Sequence, residues 1–379
     1  MPSMTDRVPD EVSAAAVAQR HGQILVIDIR EEAEYAEGAI PGAVHIPEEL
    51  LEERLEAITH RDDEIVIYCG EGVRSLIATR ALTQLGYSNV RSLAGGSNNW
   101  RRSELPWETP RDASANRYAR HMALSEVGPE GQSRLLDSKV LIVGAGGLGS
   151  PAALYLVAAG VGTLGIVDFD TVALSNLQRQ ILHSTSRIGM PKVASAARTL
   201  SDLNPDVTVV PHETALNASN VLNAMDGYDV VVDGTDNFPT RYLLADASLH
   251  LRVPVVYGAA LRFEGQVSVF SPYEGPCYRC LFPQPPPPDM APSCADAGVL
   301  GAVTGIIGSL QALETIKLIV GAGNPLIGRL LVYDALDQDV RVLQIRRNPS
   351  CPACGNERRP PRIVDYDWQC TPAGTVDRT

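Results

Sequence analysis

Two short runs of Ile and Val bounded by polar residues stand near the N-terminus, at 24–29 (ILVIDI) and 64–69 (EIVIYC). A strand with one face in water alternates apolar and polar positions, whereas an unbroken apolar run reads as a strand covered on both faces, as in a parallel sheet. Helical patterns lie between and after these runs, notably over Ser75–Leu85, so the segment reads as a small α/β unit ending near Trp107. Pro106–Ala115 carries two prolines and mixed charges and reads as a linker. The resulting division is a first domain over 1–108, a linker over 109–116, a second domain over 117–355 and a tail over 356–379.

A second alternation of strand and helix begins at Lys139. KVLIV predicts a strand, Leu148–Ala159 a helix, and LGIVD (164–168) the next strand, followed by VVVD (230–233), PVVYGA (254–259) and QVSVF (266–270). This is the order of a doubly wound, Rossmann-like sheet, whose ligands sit at the carboxyl ends of the strands. The most apolar stretch, Ala297–Val320, has the length of a membrane span. Gln311, Glu314 and Lys317 interrupt it, and Gly298, Gly301, Gly305 and Gly308 suit close helix packing, so a buried core helix is expected. Residues 283–292 (PQPPPPDMAP) can form neither helix nor sheet interior and are expected to be a loop.

Composition narrows the classes. With 45% hydrophobic residues over 379 positions the chain can fill two cores, and a net charge of −13 argues against nucleic acid. Asp6, Arg7, Asp10 and Glu11 open the chain without a leader pattern, and seven cysteines are too few for a secreted disulfide scaffold. A cytoplasmic protein without membrane attachment is expected.

Gly144-Ala-Gly146-Gly147-Leu-Gly149 follows a predicted strand and opens a predicted helix. Such glycines let the backbone approach a phosphate, and the helix N-terminus supplies free N–H groups. Asp168 closes the next strand, where its carboxylate can take ribose hydroxyls. These features alone describe an NAD site. However, Asn176, Arg179, Gln180 and Lys192 add a polar, cationic set after the second strand, and Asp236 ends another strand at the same edge. Arg and Lys stabilise the charge that builds up when a carboxylate attacks the α-phosphate of ATP, and Asp236 can hold Mg²⁺. No strong base is needed, because the nucleophile is already ionised. Together these residues favour a nucleoside triphosphate.

RYARHMAL (117–124), GAGGLGS (144–150), VDFDTVALSNLQRQ (167–180), GMPKV (189–193), DGTDN (233–237), GAALRFEGQ (258–266) and CYRC (277–280) resemble, in order, the MoeB/ThiF family of ubiquitin-activating-enzyme-like adenylyltransferases, MoeB more closely than ThiF. The resemblance implies adenylation, with Mg-ATP, of the C-terminal glycine carboxylate of a small ubiquitin-like sulfur carrier, MoaD-like or ThiS-like. It places ATP binding at Gly147, Asp168, Ser175, Asn176, Leu177, Gln178, Arg179, Lys192, Asp236 and Asn237. Arg120 matches an arginine that reaches the neighbouring subunit's site, which implies a homodimer. A MoaD-like carrier would place the protein in molybdenum cofactor synthesis, and a ThiS-like one in thiamine synthesis.

Cys277-x-x-Cys280 and Cys351-x-x-Cys354 supply four thiolates, a set that suits tetrahedral Zn²⁺. Its expected role is to pin the chain end onto the domain, away from the chemistry. Cys294 lies where relatives place a crossover-loop cysteine that in some of them links covalently to the carrier. Cys370 receives no chemistry.

In the first domain, Cys69-Gly-Glu-Gly-Val-Arg74 follows a strand and enters a helix, so its sulfur is expected in a cup of backbone N–H groups near an arginine, both favouring the thiolate. Four residues separate Cys from Arg, a tighter cradle than phosphate requires. With Asp28-Ile-Arg30-Glu, EYAEGAIPGAVHIP (34–47), Gly95-Gly96 and Trp100, the region resembles rhodanese over about residues 10–108. The resemblance implies a Cys69 persulfide, loaded by a donor such as a cysteine desulfurase, that gives the activated carrier its sulfur as a thiocarboxylate. Rhodanese domains in the better-known fusions come second; here the domain comes first. A nicotinamide dehydrogenase leaves the cysteine pairs, Arg179 and Lys192 unexplained. A non-catalytic scaffold is opposed by intact Arg179, Lys192 and Asp236.

Overall fold

The computed structural model describes residues 10–109, 117–284, 298–356 and 360–366. The chain divides into two compact units, residues 1–119 and 120–379.

The first unit holds five parallel strands, β1 (Glu11–Val12), β2 (Leu25–Asp28), β3 (Val44–His45), β4 (Ile65–Tyr68) and β5 (Val90–Leu93), in the order β1-β5-β4-β2-β3. Its central strand shows why the apolar run is unbroken. Ile65 and Ile67 enter one core with Leu55 and Leu82, while Val66 and Tyr68 enter the other with Val17 and Trp100. Truncating a side chain buried like Ile67 to alanine costs about 2–5 kcal/mol. The predicted Ser75–Leu85 helix runs over Val73–Gln84.

Reading linker from Pro106 onward does not hold for Pro106–Glu108, which the division at 108 leaves in the first domain. The Trp100 indole N–H donates to the Pro106 carbonyl at 2.7 Å, Trp107 packs on the core, and Glu108 bridges Ala39. Prolines and charges there decorate a chain end that is tied to the fold by an indole and a β-bridge, contacts that composition does not encode. Residues 110–116 lie outside the described residues.

The second unit is an eight-stranded sheet of β6 (Lys139–Val143), β7 (Thr163–Val167), β8 (Thr208–His212), β9 (Val230–Asp233), β10 (Val255–Leu261), β11 (Glu264–Phe270), β12 (Arg329–Asp334) and β13 (Asp339–Gln344). Their order is β13-β12-β11-β10-β9-β6-β7-β8, with β10 to β8 parallel and β10 to β13 antiparallel. Strand β6 has β7 on one side and β9 on the other, so the loop after β6 opens at a topological switch point. Strand β8 and the β12–β13 hairpin were not expected from the sequence. Pro211 interrupts β8, which tolerates it as an edge strand, and β13 is exposed along most of its length.

The apolar stretch forms a helix over Gly301–Val320, with Val303, Ile307, Gln311 and Thr315 buried in the fold. Its polar residues have structural partners. Gln311 Nε2 donates to the carbonyls of Asp233 and Val256, and Glu314 accepts the Leu326 N–H. Close packing holds at two of the four glycines: a Cβ on Gly301 or Gly308 would meet a backbone oxygen at 2.2 and 2.3 Å, whereas Gly298 and Gly305 face open space.

Candidate functional site

The β6 glycine loop folds tightly against its own helix. A Cβ on Gly149 would lie 1.8 Å from the Gly144 carbonyl oxygen, so Gly149 is required by packing beneath the loop. The loop faces a cavity whose lining includes Gly144, Gly146, Gly147, Asp168, Arg179, Gln180, Lys192, Asp236 and Asn237. Ser175, Asn176, Leu177 and Gln178 are absent from that lining. Asn176 instead accepts the Ala173 N–H and closes its own turn.

Asp168 and Lys192 are held in place. Asp168 accepts the N–H groups of Ala145 and Asp170, both at 2.8 Å, fixing the glycine loop to the end of β7. The Lys192 side chain is 7% exposed and its ammonium donates to Asp170 at 2.8 Å. Burying an ammonium this far demands a partner, and Asp170 keeps the charge in place for an anionic ligand. Asp236 is exposed at the mouth. The residue that caps the following helix is Asn237, which accepts the Thr240 N–H at 3.0 Å.

Sequence reasoning missed Asp170 and two further supports. His183 touches the Ala145 carbonyl and the Ser195 hydroxyl, each at 3.0 Å, and burial lowers its pKa, so a neutral imidazole braces the loop from below. Arg241 is part-buried, donates to the carbonyls of Thr235 and Gly258, and lies 5.3 Å from the Tyr257 ring centroid. It fastens the Asp233–Asn237 turn to β10. Its spacing from Asn237, four residues on in the same helix, was the available signal. Gln180 Oε1 is buried in the lining without a hydrogen-bond partner, an acceptor left for a ligand N–H or O–H.

Arg120 lies in the short helix Ala119–Met122, is exposed, and does not line the cavity of its own chain.

The four cysteines converge. Cys277 and Cys351 sulfurs lie 3.6 Å apart, Cys277 and Cys280 3.9 Å, and Cys280 and Cys354 3.4 Å. All four fall within 4.8 Å of one another, close to the sulfur spacing of about 3.8 Å that Zn–S bonds of about 2.3 Å impose on a tetrahedron. The Asn348 N–H points at Cys280. The donor set therefore fits zinc. One helix connects the centre to the nucleotide cavity. Arg279, between the two cysteines of the first pair, binds Asp246 on the Phe238–Leu251 helix, whose N-terminal turn carries Asn237 and Arg241. Cys294 and Cys370 lie outside the described residues.

In the first unit, Cys69 is 2% exposed at the base of an open cavity lined by Glu34, Glu71, Arg74 and Asn98 among others. Burial pushes its thiol pKa up. Hydrogen bonds from the Ser75 hydroxyl and the N–H groups of Ser75, Gly72 and Glu71 outweigh that effect and leave it lowered. Ser75, itself held by Ser92 at 2.8 Å, is the group the sequence did not single out. Arg74 is turned to Glu34, 2.9 and 2.8 Å from its two oxygens, so its charge is largely answered. Arg30 is likewise committed to Asp28 and holds the fold.

A doubly wound sheet with a glycine loop, a buried lysine and a four-cysteine centre defines a nucleotide-using domain of the activating type. The chain matches the ThiF family over residues 118–353 and the rhodanese-like domain over residues 11–103. It belongs to the ThiF family and carries an N-terminal rhodanese-like domain. It is 51% identical over 260 residues to a sulfur carrier protein adenylyltransferase of Thermus thermophilus, covering 67% of this chain and 96% of that protein. It is 53% identical to a SAMP-activating enzyme E1 of Haloferax volcanii, over 67% of this chain and 93% of that one. An adenylyltransferase and sulfurtransferase MOCS3 of Culex quinquefasciatus is 50% identical over 68% of this chain, which spans 59% of that protein's length. Among solved structures, Escherichia coli MccB shares the fold at a TM-score of 0.57 and 22% identity, over 64% of this chain and 75% of that one.

Proposed function

We propose that the second unit uses ATP to adenylate the C-terminal carboxylate of a small ubiquitin-like sulfur carrier, and that Cys69 of the first supplies the sulfur. The observation that carries the reading is Lys192, a buried ammonium held by Asp170 in a cavity roofed by the glycine loop. A cation fixed there stabilises phosphoryl oxygens as they gain charge in adenylation.

Arg179 and Lys192 are the groups that meet that charge. Gly144, Gly146 and Gly147 let the backbone come close, and Asp236 at the mouth is the carboxylate for Mg²⁺. Adenylation replaces a poor leaving group with AMP. The outer sulfur of a Cys69 persulfide then attacks the carbonyl carbon, AMP departs with its oxygen, and an acyl disulfide joins the carrier to Cys69. An external thiol cleaves the S–S bond, leaving the carrier thiocarboxylate and a disulfide between that thiol and Cys69. The persulfide comes from a protein donor of the cysteine desulfurase kind. An exposed Arg120 outside its own cavity supports a homodimer in which it completes the other site. The carrier assigned is MoaD-like, in molybdenum cofactor synthesis in the cytoplasm, and Zn²⁺ holds the four cysteines.

Mixing the chain with Mg-ATP and MoaD-like or ThiS-like carriers, then following pyrophosphate exchange and carrier mass, tests this. Exchange with a MoaD-like carrier and a mass gain of one sulfur for oxygen on adding a persulfide donor are expected. No exchange with any glycine-terminated carrier would overturn it.

A further inference from the structure

Residues 360–366 follow the second cysteine pair and are anchored at four points. The Pro361 carbonyl meets His250 Nε2 at 2.7 Å. Ile363 packs with Leu216 and Tyr366 against an apolar cluster that includes Val221, Leu243 and Leu244. Asp365 accepts the Ala218 N–H at 2.6 Å, and the Tyr366 hydroxyl meets Asp246 and Arg279.

These contacts matter because of what the 213–220 loop does. It leaves edge strand β8 and brings Thr214 and Leu216 to the wall of the nucleotide cavity. Its internal bonds are short-range turns, such as Asn217 N–H to Asn220 at 2.8 Å and Asn220 to the Ala215 carbonyl at 2.9 Å. Turns of that kind shape a loop without fixing it to the body of the fold. The bond from Asp365 and the apolar contact of Ile363 supply attachment from a distant part of the chain.

We propose that residues 361–366 are a strap that fixes the Thr214–Leu216 wall and thereby sets the affinity for ATP. Asp365 and Ile363 are its positioning residues, and Tyr366 moors its far end on Asp246 and Arg279. The proposal rests on the reading that this cavity takes ATP. The strap touches no reacting group, so it acts on nucleotide binding and leaves the chemical step alone.

The test uses the full chain, titrated with Mg-ATP at equilibrium without carrier, with zinc content measured in parallel. Asp365→Ala removes the acceptor for Ala218 and is expected to weaken ATP binding about fivefold, the order set by losing one hydrogen bond. Asp365→Asn retains an acceptor oxygen and is expected to stay within about twofold of the native chain. Val340→Thr, at an exposed position on β13 outside the strap, serves as the control. In exchange assays the Asp365→Ala effect should fall on KM for ATP, with kcat and zinc content unchanged. ATP affinity equal to native in Asp365→Ala overturns the strap, as does loss of zinc and kcat with affinity unmoved. A native chain that fails to bind Mg-ATP overturns the parent reading instead, a result separable from a variant that binds like the native chain.

Discussion

The Cys69 cradle and the nucleotide cavity solve a similar problem, holding negative charge, with different materials. The cradle draws its donors from Glu71, Gly72 and Ser75, within six residues of the cysteine, and three of the four bonds come from backbone. The cavity gathers side chains from Asp168 to Arg241, holding Asp168 with backbone N–H groups, Lys192 with the Asp170 carboxylate and Arg241 with carbonyls from other segments. A site made of backbone survives most substitutions around it. A site that depends on a buried charge such as Lys192 fails when its partner is lost, because the ammonium is left buried and unmatched.

The largest effect that would sharpen this contrast is at Lys192. Lys192→Ala should lower carrier-dependent pyrophosphate exchange by about 10²–10³, the order found when a charge-stabilising donor is removed. Sulfur loading of Cys69 should be unchanged in the same protein, as read by the mass of the persulfide. Exchange within a few-fold of native would place the charge stabilisation elsewhere.

A smaller effect is expected at Ser75, the one side chain in the cradle's donor set. The lowered thiol pKa means that Cys69 alkylation should rise with pH through a midpoint below that of a free cysteine and then level off. Ser75→Ala removes a hydrogen bond that stabilises the thiolate, so the midpoint moves up while the backbone donors keep part of the depression. Iodoacetamide rates across pH measure it. An unmoved midpoint would make the cradle wholly a backbone device.

The smallest effect belongs to Glu34. Its pair with Arg74 is about one-third exposed on both sides, and such pairs contribute about 0–1 kcal/mol. Burial raises the Glu34 pKa, but bonds from Arg74 and the Glu31 N–H outweigh it and leave the carboxyl below its usual range. The pair's contribution is therefore full at neutral pH and lost only as pH falls through that lowered value. Glu34→Gln should leave melting at neutral pH nearly unchanged and speed sulfur transfer modestly by freeing Arg74. A large loss of stability would contradict the account.

The same contrast explains what the sequence made legible. Cys69 and its loop, the glycine loop and the paired cysteines are contiguous signals, and each appears where its local pattern put it. Asp170 and His183 act through partners 22, 12 and 38 positions away on a helix and the glycine loop, which their own surroundings do not announce, and Arg241 was signalled only by its spacing from Asn237. Strand β8 was hidden by Pro211, and β13 by its exposure, since apolar periodicity reports burial and not pairing. The Pro106–Glu108 segment shows the converse. Its composition reads as linker, yet an indole N–H and a β-bridge tie it to the fold.

The cysteine centre has a consequence for how the chain is made. Cys277 and Cys351 are 74 positions apart, and the β12–β13 hairpin lies between them. During synthesis the first pair emerges well before the second, holding two thiolates that cannot yet close a tetrahedron. The parallel strands can form in that interval, since all of them precede Cys277. With Zn²⁺ held as proposed, the four-thiolate site would close only after the parallel strands are made, and a chain deprived of the metal would keep that sheet with the part around Cys351 and Cys354 unfastened.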